Sequence, residues 1–386
     1  MVGFEALRGY LLEEVIARLL QDNGYRLLVS AKQDPDALKN GRHGLLVRGR
    51  GSDHQADVLG ELVLPTPFSL PLRIFVEAKY RGRKTGLADV RNAHGVVHDV
   101  NEQYSTAQAG SRRVPVRRHL YRYALFSTSG FSVPAQQYGL AQQIFLVDLS
   151  GPAFAPLTDA TDRAARRLAG LLEETDVPFP RGQIRTALRL SLGTWTDQSE
   201  PDGEQTPTEG PQPHAVDGGR PVRRADPIQS VRRVDPMDSI RRNPASDEGH
   251  TLPPEQLADV ADTLTGEIGA TLLLGFPASP FILVLRPDDP AAFGAYIREH
   301  PTDVLVDIQF AGSRIASGDW MIVPADDSTR FVLWFSLPTL LANWLLADES
   351  SIALRAQNVK ADLLSSIFVF HDDRLVRLSF RPRGRG

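Results

Sequence analysis

Three residues have the types and spacing to do chemistry: Asp57, Glu77 and Lys79. The stretch Gln55–Leu64 reads as a strand carrying Asp57. Leu72–Ala78 reads as a second strand, delivering Glu77 and Lys79 at its end, with Pro65–Pro71 breaking the two apart. Positions i and i+2 share one face of a sheet, so two carboxylates and an amine can converge at one edge. Such a set suits metal-dependent phosphodiester hydrolysis. The oxygens of Asp57 and Glu77 would hold a hard cation such as Mg2+, which keeps waters and shields the charge of the scissile phosphate. Lys79 would orient or help deprotonate the attacking water and stabilise the phosphorane-like charge. A D…ExK pattern also describes an edge strand with a surface Glu–Lys pair. Two features favour the site. The fragment RIFVEAK is apolar just up to the charged pair, and Lys79 is one of only five lysines (Lys32, Lys39, Lys79, Lys84, Lys360) among 43 basic residues.

The elements that hold these residues belong to a chain of 386 residues, a length that suits two domains plus connecting segments. With 42% hydrophobic and 23% charged residues, the chain can bury a core. No apolar run approaches a membrane span, and the N-terminal stretch carries acids where a signal peptide would be basic, so a cytoplasmic protein is expected. Zero cysteines exclude disulfides, thiolate zinc sites, iron–sulfur clusters and a cysteine nucleophile. Any metal must sit on carboxylates, carbonyls or histidine. The net charge of -4 hides a gradient: residues 1–150 hold 19 Lys+Arg against 14 Asp+Glu, 151–250 hold 13 against 16, and 251–386 hold 11 against 17. Only the first part suits a polyanion.

Composition changes after Trp195. From Thr196 to Pro254 there are ten prolines and no aromatic residue, too little apolar surface to offset ordering entropy, so 196–254 reads as a linker between 1–195 and 255–386. It contains a quasi-repeat of period nine, RRADPIQSV then RRVDPMDSI, which is either a docking peptide presenting Ile228, Val231, Met237 and Ile240 or a duplicated spacer. Before the linker, residues 5–22 have apolar positions at helical spacing ending at Gly24. Tyr25–Val29, Tyr123–Ser127 and Ile144–Asp148 read as further strands, Leu87–Glu102 as a helix, and Val133–Ala141 as a helix capped by Ser132. This alternation implies a mixed α/β sandwich. Beyond the linker, TLLLGF, FILVLRP, VLVDIQF, DWMIV and RFVLWFS read as strands, Pro338–Ala347 as a helix, and IFVFHDD with RLVRLSF as a closing hairpin, an α+β domain for recognition, oligomerisation or control.

Three segments in order, GYLLEEVIARLLQDNGY, HQADVLGE…FVEAKYRG and YRYALFSTSGFSVPAQQYGLAQQIFLVDLSG, resemble the PD-(D/E)XK nuclease superfamily and its Mrr-like branch over about residues 3–150. The resemblance implies a restriction-endonuclease-like mixed sheet flanked by helices. It also implies a Mg2+-dependent endodeoxyribonuclease that acts in restriction or antiphage defence as a homo-oligomer or with a defence-system partner, and an oxygen-only site without cysteine should accept Mn2+ in place of Mg2+. Asp57, Glu77 and Lys79 match the family's acid, acid and lysine; the proline that often precedes the aspartate is Ala56 here. A further family acid lies on the first helix. Glu13, with Gly9, Ile16, Ala17 and Leu20 as helical neighbours, borders the buried face, whereas Glu14 sits beside Arg18 and Gln21, where an i,i+4 ion pair would explain it. Glu13 is therefore the expected fourth member.

Candidates for contact with nucleic acid follow from charge. Arg81, Arg83 and Lys84 come directly after the second acid, and Arg112, Arg113, Arg117 and Arg118 cluster in a predicted loop; either group could neutralise phosphates or be a solvated surface. Gln55 lies two residues before Asp57 on the same strand face, able to line the site or simply to edge the strand. His94 and His98 have the spacing of a metal pair beside Asp99 but lack the HExxH pattern, which favours a helix-surface pair; Ser129 lacks a Gly-x-Ser-x-Gly setting. The expected substrate is DNA. RNA, branched or repair DNA, and a non-cleaving binding module are the alternatives.

Overall fold

A computed structural model describes residues 3–41, 44–63, 70–109, 112–151, 154–175, 179–194, 252–268, 272–277, 279, 281–310, 320–347 and 351–381; the side chains of 105–109, 112–115, 175 and 266–268 are not among the described groups. The chain opens with α1 (Phe4–Asp22), β1 (Tyr25–Leu27), β2 (Leu38–Gly41), β3 (Gly44–Arg48), β4 (Asp53–Gln55), β5 (Val58–Leu62) and β6 (Leu72–Lys79). Next come α2 (Leu87–Asn101), β7 (Ser105–Ala109), β8 (Arg112–Val116), β9 (Leu120–Ser127), α3 (Val133–Ala141), β10 (Phe145–Asp148), α4 (Ala155–Thr175) and α5 (Arg181–Ser191). The remainder holds α6 (Pro254–Ile268), β11 (Leu273–Pro277), β12 (Leu283–Pro287), α7 (Pro290–Glu299), β13 (Asp303–Phe310), β14 (Trp320–Pro324), β15 (Leu333–Phe335), α8 (Thr339–Leu346), α9 (Ile352–Asn358), β16 (Ser366–His371) and β17 (Arg374–Phe380).

The architecture is mixed α/β. A five-stranded sheet runs β1-β5-β6-β9-β10, antiparallel on the β1 side of β6 and parallel beyond it. Its central strand β6 is apolar on both faces because both are covered: Ile74 and Val76 join the core under α1 and α4, while Phe75 joins the core under α2 and α3. Helix α1 buries Leu7, Leu11, Val15 and Leu19 with Leu12, Ile16 and Leu20, as its spacing predicts. In α3, the Ser132 hydroxyl accepts from the N–H of Ala135 and Pro134 occupies the first turn.

Three features depart from the sequence reading. The expected strand Gln55–Leu64 is broken at Ala56–Asp57, so Gln55 ends a separate three-stranded sheet, β2-β3-β4. Of the arginines expected in a loop, Arg112 and Arg113 stand in the β7–β8 hairpin, whereas Arg117 and Arg118 follow it outside any strand. The C-terminal strands close into a seven-stranded barrel, β11-β12-β15-β14-β13-β17-β16, with the expected hairpin β16–β17 turning through Asp372 and Asp373 at positive φ.

Helix α6 does not pack with the barrel core. Its Leu257, Val260, Ala261 and Leu264 lie in the same apolar cluster as α1 and α4, and Gln183 of α5 both donates to and accepts from the main chain of Leu252. At the turn after α1, Gly24 has φ +81° and a Cβ there would stand 2.7 Å from the Phe370 ring of β16, so the position requires glycine on two counts. The quasi-repeat around Ile228 and Met237 lies outside the described residues. No helix among the described residues is long and apolar enough to cross a membrane.

Candidate active site

The bend at Ala56–Asp57 places the first acid. Asp57 donates its N–H to Val76 O at 3.1 Å, the last rung between β5 and β6. One rung further, the chain has turned away, and the Asp57 side chain takes the place of the missing strand: its Oδ2 accepts from the N–H of Ala78 at 2.8 Å. Asp57 is thereby fixed to the peptide between Glu77 and Lys79.

Glu77 and Lys79 form an ion pair on the α2 side of the sheet. The other Glu77 oxygen accepts from the Tyr123 hydroxyl at 2.7 Å, and Tyr123 is held by stacking on Phe75, with ring centroids 4.8 Å apart. Burial, then the charge of Glu77, hold the Tyr123 hydroxyl far above its ordinary titration range, so it stays a donor. Burial works against the Lys79 ammonium, but Glu77 and then Asp57 outweigh it and hold its pKa above the usual lysine value. Lys79 is therefore a cation in this arrangement, able to orient water and stabilise phosphate charge, and becomes a base only if its carboxylate partners are otherwise engaged.

Glu13, on α1, is close enough to Asp57 to feel its charge. Burial, then repulsion from Asp57, push its carboxyl up to about 8 against the pull of Arg185. Glu14 is not the surface residue its sequence neighbours suggest. It is 1% exposed and accepts from Arg185 Nε at 3.0 Å and from Arg189 Nε at 3.1 Å, while Arg18 pairs with Asp22 instead. Arg185 also reaches Glu13, its Nη2 lying 3.1 Å from Oε2. Sequence reasoning missed Tyr123 and Arg185; the alternation of β9 marks Tyr123 as inward, but nothing near α1 marks Arg185.

The other candidates scatter. Gln55, exposed at the end of β4, sits with Arg185 beside Gly44 and not on the strand of Asp57. Arg81 follows the site directly but lies 3.4 Å from Asp89, and its N–H donates to the Thr128 hydroxyl. Arg83 and Lys84 are exposed just beyond it. Arg112 and Arg113 stand in β8, ahead of the start of β9, whereas Lys79 pairs with Ser127 at its end; the two side chains are outside the described groups. Arg117 pairs with Glu102, and Arg118 with Asp34 and Asp36. His94 contacts the Tyr138 hydroxyl at 2.9 Å, and Asp99 binds His54, so His94, His98 and Asp99 are not gathered as ligands. A cleft of about 350 Å³ opens on the α1 side of the strand end, between Arg8, Tyr80, Arg81, Thr128 and Ser150.

The opposite end of β6 carries a separate ionic cluster. Buried Arg73 binds Asp34 at 2.7 Å, Glu61 at 2.8 Å and the Tyr121 hydroxyl at 3.0 Å, with His119 3.7 Å from each acid. Burial, then Arg73, lower the His119 pKa to about 4.

Among the described residues no group of three or more His, Asp or Glu side chains is gathered to hold a metal. A magnesium-type cation asks for less, taking one or two carboxylates and completing its shell with water and substrate oxygens. Asp57 and Glu77 fit that requirement in type and number. No family model and no curated protein matches the chain. A solved structure titled as that of a protein of unknown function aligns with 40% of this chain and 78% of its own at 17% identity, with a TM-score of 0.25, too low to bear on fold or activity.

Proposed function

We propose that the chain is a metal-dependent endodeoxyribonuclease whose N-terminal domain has a restriction-endonuclease-like fold of the PD-(D/E)XK kind and cleaves DNA in restriction or antiphage defence. The observation that carries this reading is the hydrogen bond from Ala78 to Asp57, which brings the first acid onto the E-x-K strand end beside Glu77 and Lys79. Asp57 and Glu77 would hold a divalent cation such as Mg2+, which when bound supplies charge neutralisation at the phosphate and an acidified water. Lys79 contributes a fixed positive charge and a donor toward the attacked phosphate. Tyr123 keeps the Glu77 carboxylate oriented. Arg83 and Lys84, exposed next to the strand end, are placed to meet backbone phosphates.

The test is incubation of the full chain with supercoiled, linear and single-stranded DNA and with RNA, in Mg2+, Mn2+ or EDTA. Metal-dependent nicking or linearisation of supercoiled DNA is the expected result. Cleavage confined to RNA would move the reading to a ribonuclease, binding without cleavage would reduce it to a nucleic-acid-binding module, and undiminished cleavage in EDTA after metal stripping would remove the mechanism.

A further inference from the structure

We propose that Arg185 of α5 is a positioning residue for the Glu13 carboxylate, with Glu14 as its anchor, so that the site is completed from outside the segment that carries Asp57, Glu77 and Lys79. The proposal rests on the nuclease reading above. Arg185 is fixed in two ways. Its Nε donates to Glu14 Oε1 at 3.0 Å, and its guanidinium lies over the Tyr10 ring at 5.2 Å, with Arg181 over the same ring at 5.5 Å. A planar guanidinium held at one edge and one face has its remaining donors aimed, and Nη2 is aimed at Glu13 Oε2, 3.1 Å away.

Neutralising Glu14 does not by itself require this residue. Glu14 already receives Arg189 Nε at 3.1 Å on its other oxygen, which supplies one cation for one buried carboxylate. The second cation bridges two acids that are neighbours in sequence, and one of them, Glu13, feels the repulsion of Asp57. Arg185 supplies the opposing attraction that holds the Glu13 carboxylate against that repulsion. A lysine would keep the charge but, as a point donor, could not hold both acids in fixed directions.

The experiment is a cycle on the full chain with supercoiled plasmid DNA and Mg2+, using R185Q, R185K, E13Q and the E13Q/R185Q double variant, with melting temperatures recorded without metal to confirm folding. R185Q should lower kcat by about 10- to 100-fold with KM nearly unchanged, and R185K should recover part of the loss. In the E13Q background the same change should cost less than about twofold more, because the residue acts through Glu13. If R185Q does not fold, R185K and E13Q/R185K complete the same cycle. An equal loss with and without Glu13, or full activity in R185K, overturns the proposal while leaving the nuclease reading in place. A wild-type chain that cuts none of the nucleic acids takes down both.

Discussion

Asp57 Oδ2 and the main-chain N–H of Ala78 are joined by a 2.8 Å hydrogen bond, and Ala78 is the residue between Glu77 and Lys79. The contact exists because β5 stops one rung short of the end of β6. A central strand whose neighbour bends away leaves an N–H that must be satisfied, and the carboxylate that satisfies it is carried to the strand end. The same device ties the position of the acid to the register of the sheet.

Lys79→Ala should abolish cleavage by about 100-fold or more while binding of DNA persists, since both acids remain and only the positive charge on the phosphate side is lost. Gel-shift and plasmid-nicking measurements on the same preparation separate the two. A folded Lys79→Ala protein that cuts at near the wild-type rate would refute the assignment of that residue.

Glu13→Ala and Glu14→Ala should fail differently. Removing Glu14 leaves Arg185 and Arg189 without their shared buried partner, so a loss of about 3–5 kcal/mol is expected and urea unfolding should show it. Glu13 gives up one contact and a carboxyl that burial and Asp57 already disfavour in its charged form, so Glu13→Ala should remain folded and cleave more slowly. Should Glu13→Ala unfold and Glu14→Ala stay stable, the two roles are reversed.

His119 should make stability fall on mild acidification. Its pKa is about 4 in the fold against an ordinary 6.5, so between those values the unfolded chain binds a proton that the folded one refuses, and stability drops as pH falls through that window. The slope from one such group is at most about 1.4 kcal/mol per pH unit. Burial opposes the Asp34 and Glu61 carboxylates, but Arg73 more than offsets it and holds both below the usual range, so their contribution is lost only at lower pH. Urea midpoints at pH 7, 6 and 5 for wild type and His119→Asn should converge toward acid. Parallel curves would show that His119 does not titrate as described.

A protease cut between residues 195 and 251 should leave a complex. The composition of that segment predicts access, yet α6 lies beyond it and buries Leu257, Val260 and Leu264 against the N-terminal helices, with Asn23 also accepting from Leu274 N–H at 2.6 Å. The two fragments should co-elute on gel filtration and part only in denaturant. Separate elution under native conditions would contradict this packing.

Features that depend on short periods were legible in the order of residues. The apolar face of α1, the Ser132 cap of α3, and the i, i+2 placement of Glu77 and Lys79 on one face all follow from neighbours within a turn or a strand. Even there that order reads as one strand through Gln55 and Asp57, because a bend that transfers the chain between sheets leaves the alternation of side chains almost intact. The rest came from contacts between distant segments. Whether Glu14 faces solvent was settled by Arg185 and Arg189, which stand 171 and 175 positions away and have no counterpart in the local pattern of α1. Closure of the C-terminal strands into a barrel was settled by which edges meet, β16 with β11 and β13 with β17, and strand letters do not encode their partners. A side chain's polarity is written at its own position, but its burial and its counter-charge are supplied by whatever the fold sets against it.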